Sequence, residues 1–285
     1  MKKALTIILG AMLMLVVSAC NQTAEPVEKD GKTETTKKEQ DLTLEEVYKK
    51  VEEANKDIKS FESNITMNQK VDAGGEKQEI KSDMAMEFIM EPMTLHQKMT
   101  MSIGEEKKEL DAYLTKDGFY VYEPNQKTWL KLPSELSSQI LQMSEGQTNP
   151  SEQLNQLKQF VDDFEFKQDE KSYILTLKAS GEKFDQFLKD NVKATMPPDM
   201  QDEAAMSDVT FNQVDYELFI DKETFYLTAL NMVTDMDTDV NGQKMNMNLD
   251  MKSTYSNYNK VESIEVPKEA LENAQEVNLN EMGGQ

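Results

Sequence analysis

Methionine supplies the most distinctive chemistry in this chain, with 20 Met among 285 residues against one Cys and one His. Thioether sulfurs are soft and polarisable, and the Met-x-Met pairs Met84/Met86, Met99/Met101 and Met245/Met247 could offer two such ligands to Cu(I). The same spacing arises wherever methionine alternates along a strand. Asp235, Asp237 and Asp239 open like a calcium loop, whose carboxylates must converge on one hard cation. The glycine that such a loop needs at its sixth position is Val240, and the bidentate acid at its twelfth is Asn246, so the three acids read as a solvated strand face. His96 has no G-x-S-x-G, H-E-x-x-H or Ser-x-x-Lys context, and neither glycine-rich phosphate loop occurs. Among 53 Asp+Glu nothing marks two as a convergent acid/base pair. Trp129 with Tyr113, Tyr120 and Tyr122 could stack on a sugar or base, or could be sheet packing with hydrated hydroxyls. The chain is therefore read as a non-enzyme, with no catalytic residue, no resident metal and no cofactor assigned.

Charge sets further limits. Lys+Arg total 31, for a formal net charge of −22, and nucleic acid is excluded as a partner because no basic footprint exists to displace phosphate counterions. Every strong cation is a lysine, which removes bidentate guanidinium clamps. One Cys and one His exclude an intrachain disulfide, multi-Cys zinc sites and His-cluster metal sites. Met1-Lys2-Lys3, the apolar run 4–17 and Ser18-Ala19-Cys20 form a secretory signal, too short and wrongly flanked for a stable membrane span. Val17-Ser18-Ala19-Cys20 resembles the bacterial lipobox, in which the cysteine thiol is diacylglycerylated and becomes the mature amino terminus; an ordinary signal with a chance cysteine is the other reading. Lipidation at Cys20 places the protein on the extracytoplasmic face of the cell membrane. Removing residues 1–19 discards two lysines and no acids, so the mature body is repelled by anionic head groups and the acyl chains must supply attachment. Residues 21–41, rich in Lys, Glu, Thr and Gln, read as a disordered spacer with a reach of about 25 Å.

The periodicity changes along the remainder. Thr43 and Glu46 make a capping box before the helical stripe Leu44, Val47, Tyr48, Val51, Ala54 and Ile58. Residues 61–132 alternate with period two, punctuated by Gly74-Gly75, Glu91-Pro92, Gly104-Glu105 and Asp117-Gly118, and predict an antiparallel meander. Leu136, Ile140 and Leu141 suggest a short helix, and Asn149-Pro150-Ser151-Glu152 opens another. A hairpin over 164–179 and a helix carrying Phe184, Phe187, Leu188 and Val192 follow. Residues 194–207, with Pro197-Pro198, Met196, Met200 and Met206, read as a loop. In 209–220 the apolar positions switch from odd to even, which predicts a bulge near Asn212-Gln213. A long hairpin then closes on Asn241-Gly242. The expected fold is α+β, about eleven strands and four helices in one domain over 42–272, preceded by the signal (1–19) and tether (20–41) and followed by a flexible tail (273–285).

Turn chemistry also sets register. A two-residue loop at Asn241-Gly242 pairs Met236 with Met247, Met232 with Met251, Thr238 with Met245 and Thr234 with Leu249, all on one face, with the aspartates on the other. Gly74-Gly75 pairs Ile65 with Met84 and Phe61 with Phe88. Glu91-Pro92 pairs Met90 with Met93, Phe88 with Leu95 and Met84 with Met99, while a turn at Glu105-Glu106 sets Met101 opposite Leu110. Met67, Met84, Met86, Met90, Met93, Met99 and Met101 then share one surface, and His96 faces the other way. Such a face is either a core wall under helices, an adaptable groove for varied apolar ligands, or a soft-metal surface.

The element order resembles the LolA/LolB-like superfamily, with lipoproteins of the LppX/LprG type, and is closest to a family of uncharacterised Bacillota lipoproteins. The stretches that carry the resemblance are Lys116-Asp117-Gly118-Phe119-Tyr120-Val121-Tyr122-Glu123-Pro124 with Trp129, then Phe219-Ile220-Asp221-Lys222-Glu223-Thr224, then Ile264-Glu265-Val266-Pro267-Lys268-Glu269-Ala270. It implies an antiparallel, unclosed β half-barrel whose concave face is covered by helices and shelters acyl chains or a partner's lipid. On that implication the cavity residues are Met84, Met86, Phe88, Met99, Met101, Met232, Met247 and Met251, with Met196, Met200 and Met206 in a lid. The soluble carriers of the superfamily often use an arginine that this chain lacks, which puts transport to an outer membrane in doubt. The expected function is a membrane-anchored lipoprotein binding an apolar or lipidic ligand; an envelope-stress sensor holding a protein partner, or a Cu(I)-binding lipoprotein, are the alternatives.

Overall fold

The computed structural model describes residues 23–29, 32–33, 42–134, 136–138, 140, 150–179, 182–195, 209–240 and 243–277. Short strands β1 (Glu25–Pro26), β2 (Glu28–Lys29) and β3 (Lys32–Thr33) precede helix α1 (Leu44–Asn55). A meander follows, made of β4 (Ser60–Ala73), β5 (Glu76–Met90), β6 (Met93–Ile103), β7 (Glu106–Thr115), β8 (Gly118–Glu123) and β9 (Thr128–Lys131). Helix α2 (Pro150–Leu157) tightens into a 3-10 turn over Lys158–Asp163 and leads to the hairpin β10 (Phe164–Gln168) and β11 (Ser172–Ala179). Helix α3 (Glu182–Thr195) is followed by β12 (Thr210–Asp221), β13 (Leu227–Val240) and β14 (Gln243–Ser256), then by α4 (Lys268–Asn273) and β15 (Gln275–Glu276).

One 13-stranded sheet takes in all of these strands except β2 and β3, in the order β1-β10-β11-β12-β13-β14-β4-β5-β6-β7-β8-β9-β15. Its ends do not meet, so the sheet is an unclosed half-barrel. All neighbours are antiparallel except the outermost, β1 on β10 and β15 on β9. The long strands β4 to β14 are the eleven that the alternation predicts. Helix α1 begins at the Thr43 capping box, with Glu46 accepting from the Thr43 backbone N–H at 2.8 Å. Asn212 is the extra residue of a bulge, since Phe211 pairs with Met236 and Gln213 with Asp235. Gly74 and Gly75 both have positive φ (63° and 96°), as the two-residue turn between β4 and β5 requires.

Three expectations change. The β6–β7 turn centres on Gly104-Glu105, so Met101 faces Lys108 and Met99 faces Leu110; Gly104 takes a positive φ of 60° at that corner, which glycine adopts without the clash a Cβ would bring. The spacer is not free throughout: Ala24 is buried in the main core, and Glu25 and Pro26 pair with Lys167 and Gln168. The tail is docked as far as Val277, whose N–H donates to the Lys131 carbonyl at 3.0 Å. In both cases an otherwise open sheet edge offers backbone partners to chain that has no periodicity of its own.

Cross-strand partners share a face, and the registers define one continuous inner face from β10 to β9. Leu44, Val47, Tyr48 and Val51 of α1, Leu154 and Leu157 of α2, and Phe184 and Leu188 of α3 pack there on Phe166, Leu175, Leu177, Leu218, Ile220 and Leu230. A second cluster surrounds Phe61, which stacks on Phe88 with ring centroids 4.6 Å apart and meets Tyr258 at 5.9 Å. Helix α4 lies on the opposite, outer face, with Ala270 against Tyr113, Tyr120 and Trp129. These rings are therefore packed aromatics. Phe61→Ala is expected to cost about 3–5 kcal/mol, read as a lower urea midpoint at unchanged slope.

Candidate functional site

Every methionine among the described residues lies on the inner face, and all of them belong to five adjacent strands, β13, β14, β4, β5 and β6. One row of cross-strand neighbours reads Met232, Met251, Met67, Ser82, Met101. The next reads Leu230, Ser253, Ile65, Met84, Met99, Leu110. Met247 sits between Met236 and Val71, and Met86 between Ser63 and Gln97. The structure thus brings Met84, Met86, Phe88, Met99, Met101, Met232, Met247 and Met251 onto a common wall. Phe88 is core, at 8 % exposure. Of the methionines among the described residues only Met93 is buried to that degree, at 7 %; the rest of these are half-buried. Met86 leans on the Phe61 cluster and Met251 on the main core, so these two mark where wall gives way to core.

Polar groups punctuate this wall. The Gln69 amide donates to Met247 Sδ at 3.1 Å and the Gln97 amide to Met84 Sδ at 3.7 Å, holding two thioethers by their sulfurs. Neither glutamine stands out by sequence, though the Glu91-Pro92 register places Gln97 on the methionine side. The Ser63 hydroxyl is buried without a protein partner, between Met86 and Tyr255. Burial pushes the phenols of Tyr216 and Tyr255, both on this face, up to about 12. Cys20, Met196, Met200 and Met206 lie outside the described residues.

The outer face carries a different constellation. His96 stacks on Tyr113 with ring centroids 4.2 Å apart, while its Nδ1 meets Glu87 at 2.7 Å and its Nε2 meets Asp111 at 3.0 Å. Both ring nitrogens are engaged, and neither is open to a substrate in this geometry. Glu87 is directly opposite His96, a pairing that the same turn register contains, whereas Asp111 reaches it diagonally from β7. Beside them runs a groove of about 610 Å³ bordered by Asp83, Ala85, Lys98, Thr100, Asp111 and Tyr122. The aspartates of β13 form an amide ladder instead of a cation loop, for Asn212 and Asn246 each donate to both Asp235 and Asp237 at 2.8–3.0 Å. These bonds hold the Asp237 carboxyl below its usual range. Among the described residues no group of three His, Cys, Asp or Glu is placed to hold a metal ion, and no helix is long and apolar enough to cross a membrane.

The architecture is an unclosed, mostly antiparallel half-barrel with helices packed on its inner side. The chain belongs to a family of unknown function, DUF6612, whose model matches residues 43–275. No curated protein matches the sequence. Solved structures similar to it include LprF from Mycobacterium bovis, at 10 % identity over 79 % of this chain and 95 % of that one, with a TM-score of 0.33. A DUF1329 family protein from Desulfovibrio piger is 10 % identical over 77 % and 95 %, with a TM-score of 0.23. A β-barrel-like DUF1849 protein from Brucella abortus is 10 % identical over 68 % and 99 %, with a TM-score of 0.22.

Two outcomes follow from this geometry. His96→Ala removes the ring that both carboxylates contact and that stacks on Tyr113, at a cost of about 1–3 kcal/mol in urea unfolding; His96→Gln, which keeps a side-chain donor, should recover part of it. Tyr216 and Tyr255 retain their protons in the folded chain above the pH near 10 at which an unfolded tyrosine ionises. Their contribution to stability is whole below about pH 10 and is lost as pH rises toward about 12. Absorbance titration should show late-ionising tyrosines whose release coincides with loss of near-ultraviolet dichroism.

Proposed function

We propose that the protein is an extracytoplasmic lipoprotein, anchored through an acylated Cys20, that binds an apolar or acyl-chain ligand against its inner methionine wall without performing chemistry on it. One observation carries this reading. On a single face, the strands under α1, α2 and α3 present Phe, Leu, Ile and Val buried to core level, whereas the five strands beside them present half-buried methionines. Branched and aromatic side chains have few rotamers and specify a fixed core, while unbranched thioethers re-pack around guests of different shape. A contiguous, partly exposed apolar wall of this extent is an unusual surface unless something covers it. The buried hydroxyl of Ser63 offers one polar contact at its margin for a ligand that is not wholly hydrocarbon.

Native mass spectrometry with lipid extraction, on residues 21–285 expressed in bacteria, tests the proposal. Lipid at near-stoichiometric level is expected. Met84→Gln combined with Met99→Gln, a facing pair on the wall, should strip most of it while the thermal midpoint changes little. A wild-type chain that is empty, and stays empty when offered phosphatidylglycerol, would overturn the ligand reading and favour a protein partner on the same face.

A further inference from the structure

The first described residues show where the anchor must lie. Ala24 is 6 % exposed within the main core, and its carbonyl accepts a hydrogen bond from the buried Gln168 side-chain amide at 2.9 Å. The Val27 N–H donates to the Gln168 carbonyl at 3.0 Å, and Thr23 bridges to Thr43, the N-cap of α1. A segment buried in the core, paired to β10 and bridged to a helix terminus does not act as a leash. Three residue links separate Cys20 from Thr23, and even fully extended they span about 10–11 Å.

Direction follows from register. Strand β1 is parallel to β10, with Glu25 beside Lys167 and Pro26 beside Gln168, so its upstream side points toward the Phe164 end of β10. Phe164 pairs with Leu177, and Ala179 two residues further pairs with Val214. Beyond Val214, Thr210 pairs with Asp237, near the tip of the β13–β14 hairpin. That end of the sheet holds the Gly74-Gly75 and Gly104-Glu105 turns, and the Met236, Met245 and Met247 side of the wall. The opposite end holds the Glu91-Pro92, Lys116-Asp117 and Lys222-Phe225 turns.

We infer that β1 clamps the half-barrel directly onto the lipid bilayer in one orientation, with the Gly74-Gly75 end toward the membrane surface and the methionine wall opening onto the phase that supplies its ligand. The inference rests on the anchored-lipoprotein reading and adds to it a fixed pose. In that pose the acidic body is held close to the head groups by a covalent link too short to let it turn over, and charge attraction has no part in choosing the face.

The experiment uses the full chain, processed at Cys20 and reconstituted in phosphatidylcholine vesicles carrying a head-group-linked quencher. With Cys20 acylated the chain has no other cysteine, so Glu76→Cys and Asp117→Cys, both exposed, each take one dye at opposite ends of the sheet. The two ends are on the order of 40 Å apart, given about 3.3 Å per strand residue. Quenching several-fold stronger at position 76 than at 117 is expected. Adding Ala24→Glu and Gln168→Ala, which eject β1 and restore a long leash, should bring the two labels to similar quenching while circular dichroism is retained. Equal quenching in the parent chain, or stronger quenching at 117, would overturn the pose. The intact mass separates the two levels of failure: an unacylated chain overturns the anchor, and the pose with it, whereas an acylated chain without an end-to-end difference overturns the pose alone.

Discussion

The pairing of β14 with β4 is the constraint on which the rest of the molecule depends. It joins Met245 through Ser256 to Ala73 through Glu62 without interruption, across most of the length of the chain. Closing so long a loop has an entropic cost, and non-local pairing of this kind slows folding. The seam offsets that cost by a full antiparallel ladder and by side chains that cross it: Tyr255 meets Phe61 at a ring separation of 6.4 Å, and Met251 faces Met67. Asn259 fastens its lower end, accepting from the Lys59 N–H at 2.6 Å while its own N–H donates to the Ser60 carbonyl at 2.8 Å. Without the seam the methionines of β13 and β14 and those of β4 to β6 would belong to two narrow sheets. With it they are one wall.

An unclosed sheet leaves two edges, and each is blunted by two residues of parallel strand. Pro26 on β1 lacks the N–H that would extend the ladder outward, and the Lys167 ammonium sits 2.9 Å from Glu165 on β10, the strand next to it. At the other end β15 covers Leu130 and Lys131. These caps discourage edge-to-edge association of the unclosed sheet, and they draw chain from both sides of the domain into its body.

The part of the architecture that was legible from the residues alone is the part governed by short-range rules. Asn241-Gly242, Gly74-Gly75 and Glu91-Pro92 fix their hairpins, and each predicted pair across them is present. The error at the β6–β7 turn moved the partner of Met101 by two residues, and because the side-chain period of a strand is also two, no face assignment changed. The odd-to-even switch announces the bulge at Asn212 for the same reason. What escapes such reading is contact without periodicity. Two-residue strands such as β1 and β15 have no pattern, Asp111 reaches His96 on a diagonal, and the docking of Ala24 depends on Gln168, far away in the chain.

Amphipathic alternation alone does not explain the choice of methionine. Strands β10 to β12 obey the same alternation on the same face and carry none; their fully buried inward positions include Phe164, Phe166, Leu175, Leu177, Val214, Leu218 and Ile220. Those positions lie under helices, where fixed partners reward side chains with few rotamers. The methionine strands lie beside that covered zone and are only half-buried. Methionine forfeits more side-chain entropy than leucine when immobilised, which makes it a poor choice for a permanently packed wall. It suits a surface whose contacts change between states, where the retained freedom is a gain when the wall is open and the long thioether still fills space when it is covered. The boundary between the two chemistries falls at β13, where Leu230 is core and Met232, one step along the same face, is not. A gradient of fixed to adaptable side chains across one continuous sheet separates the element that holds the fold from the half-buried wall that we propose as the ligand surface.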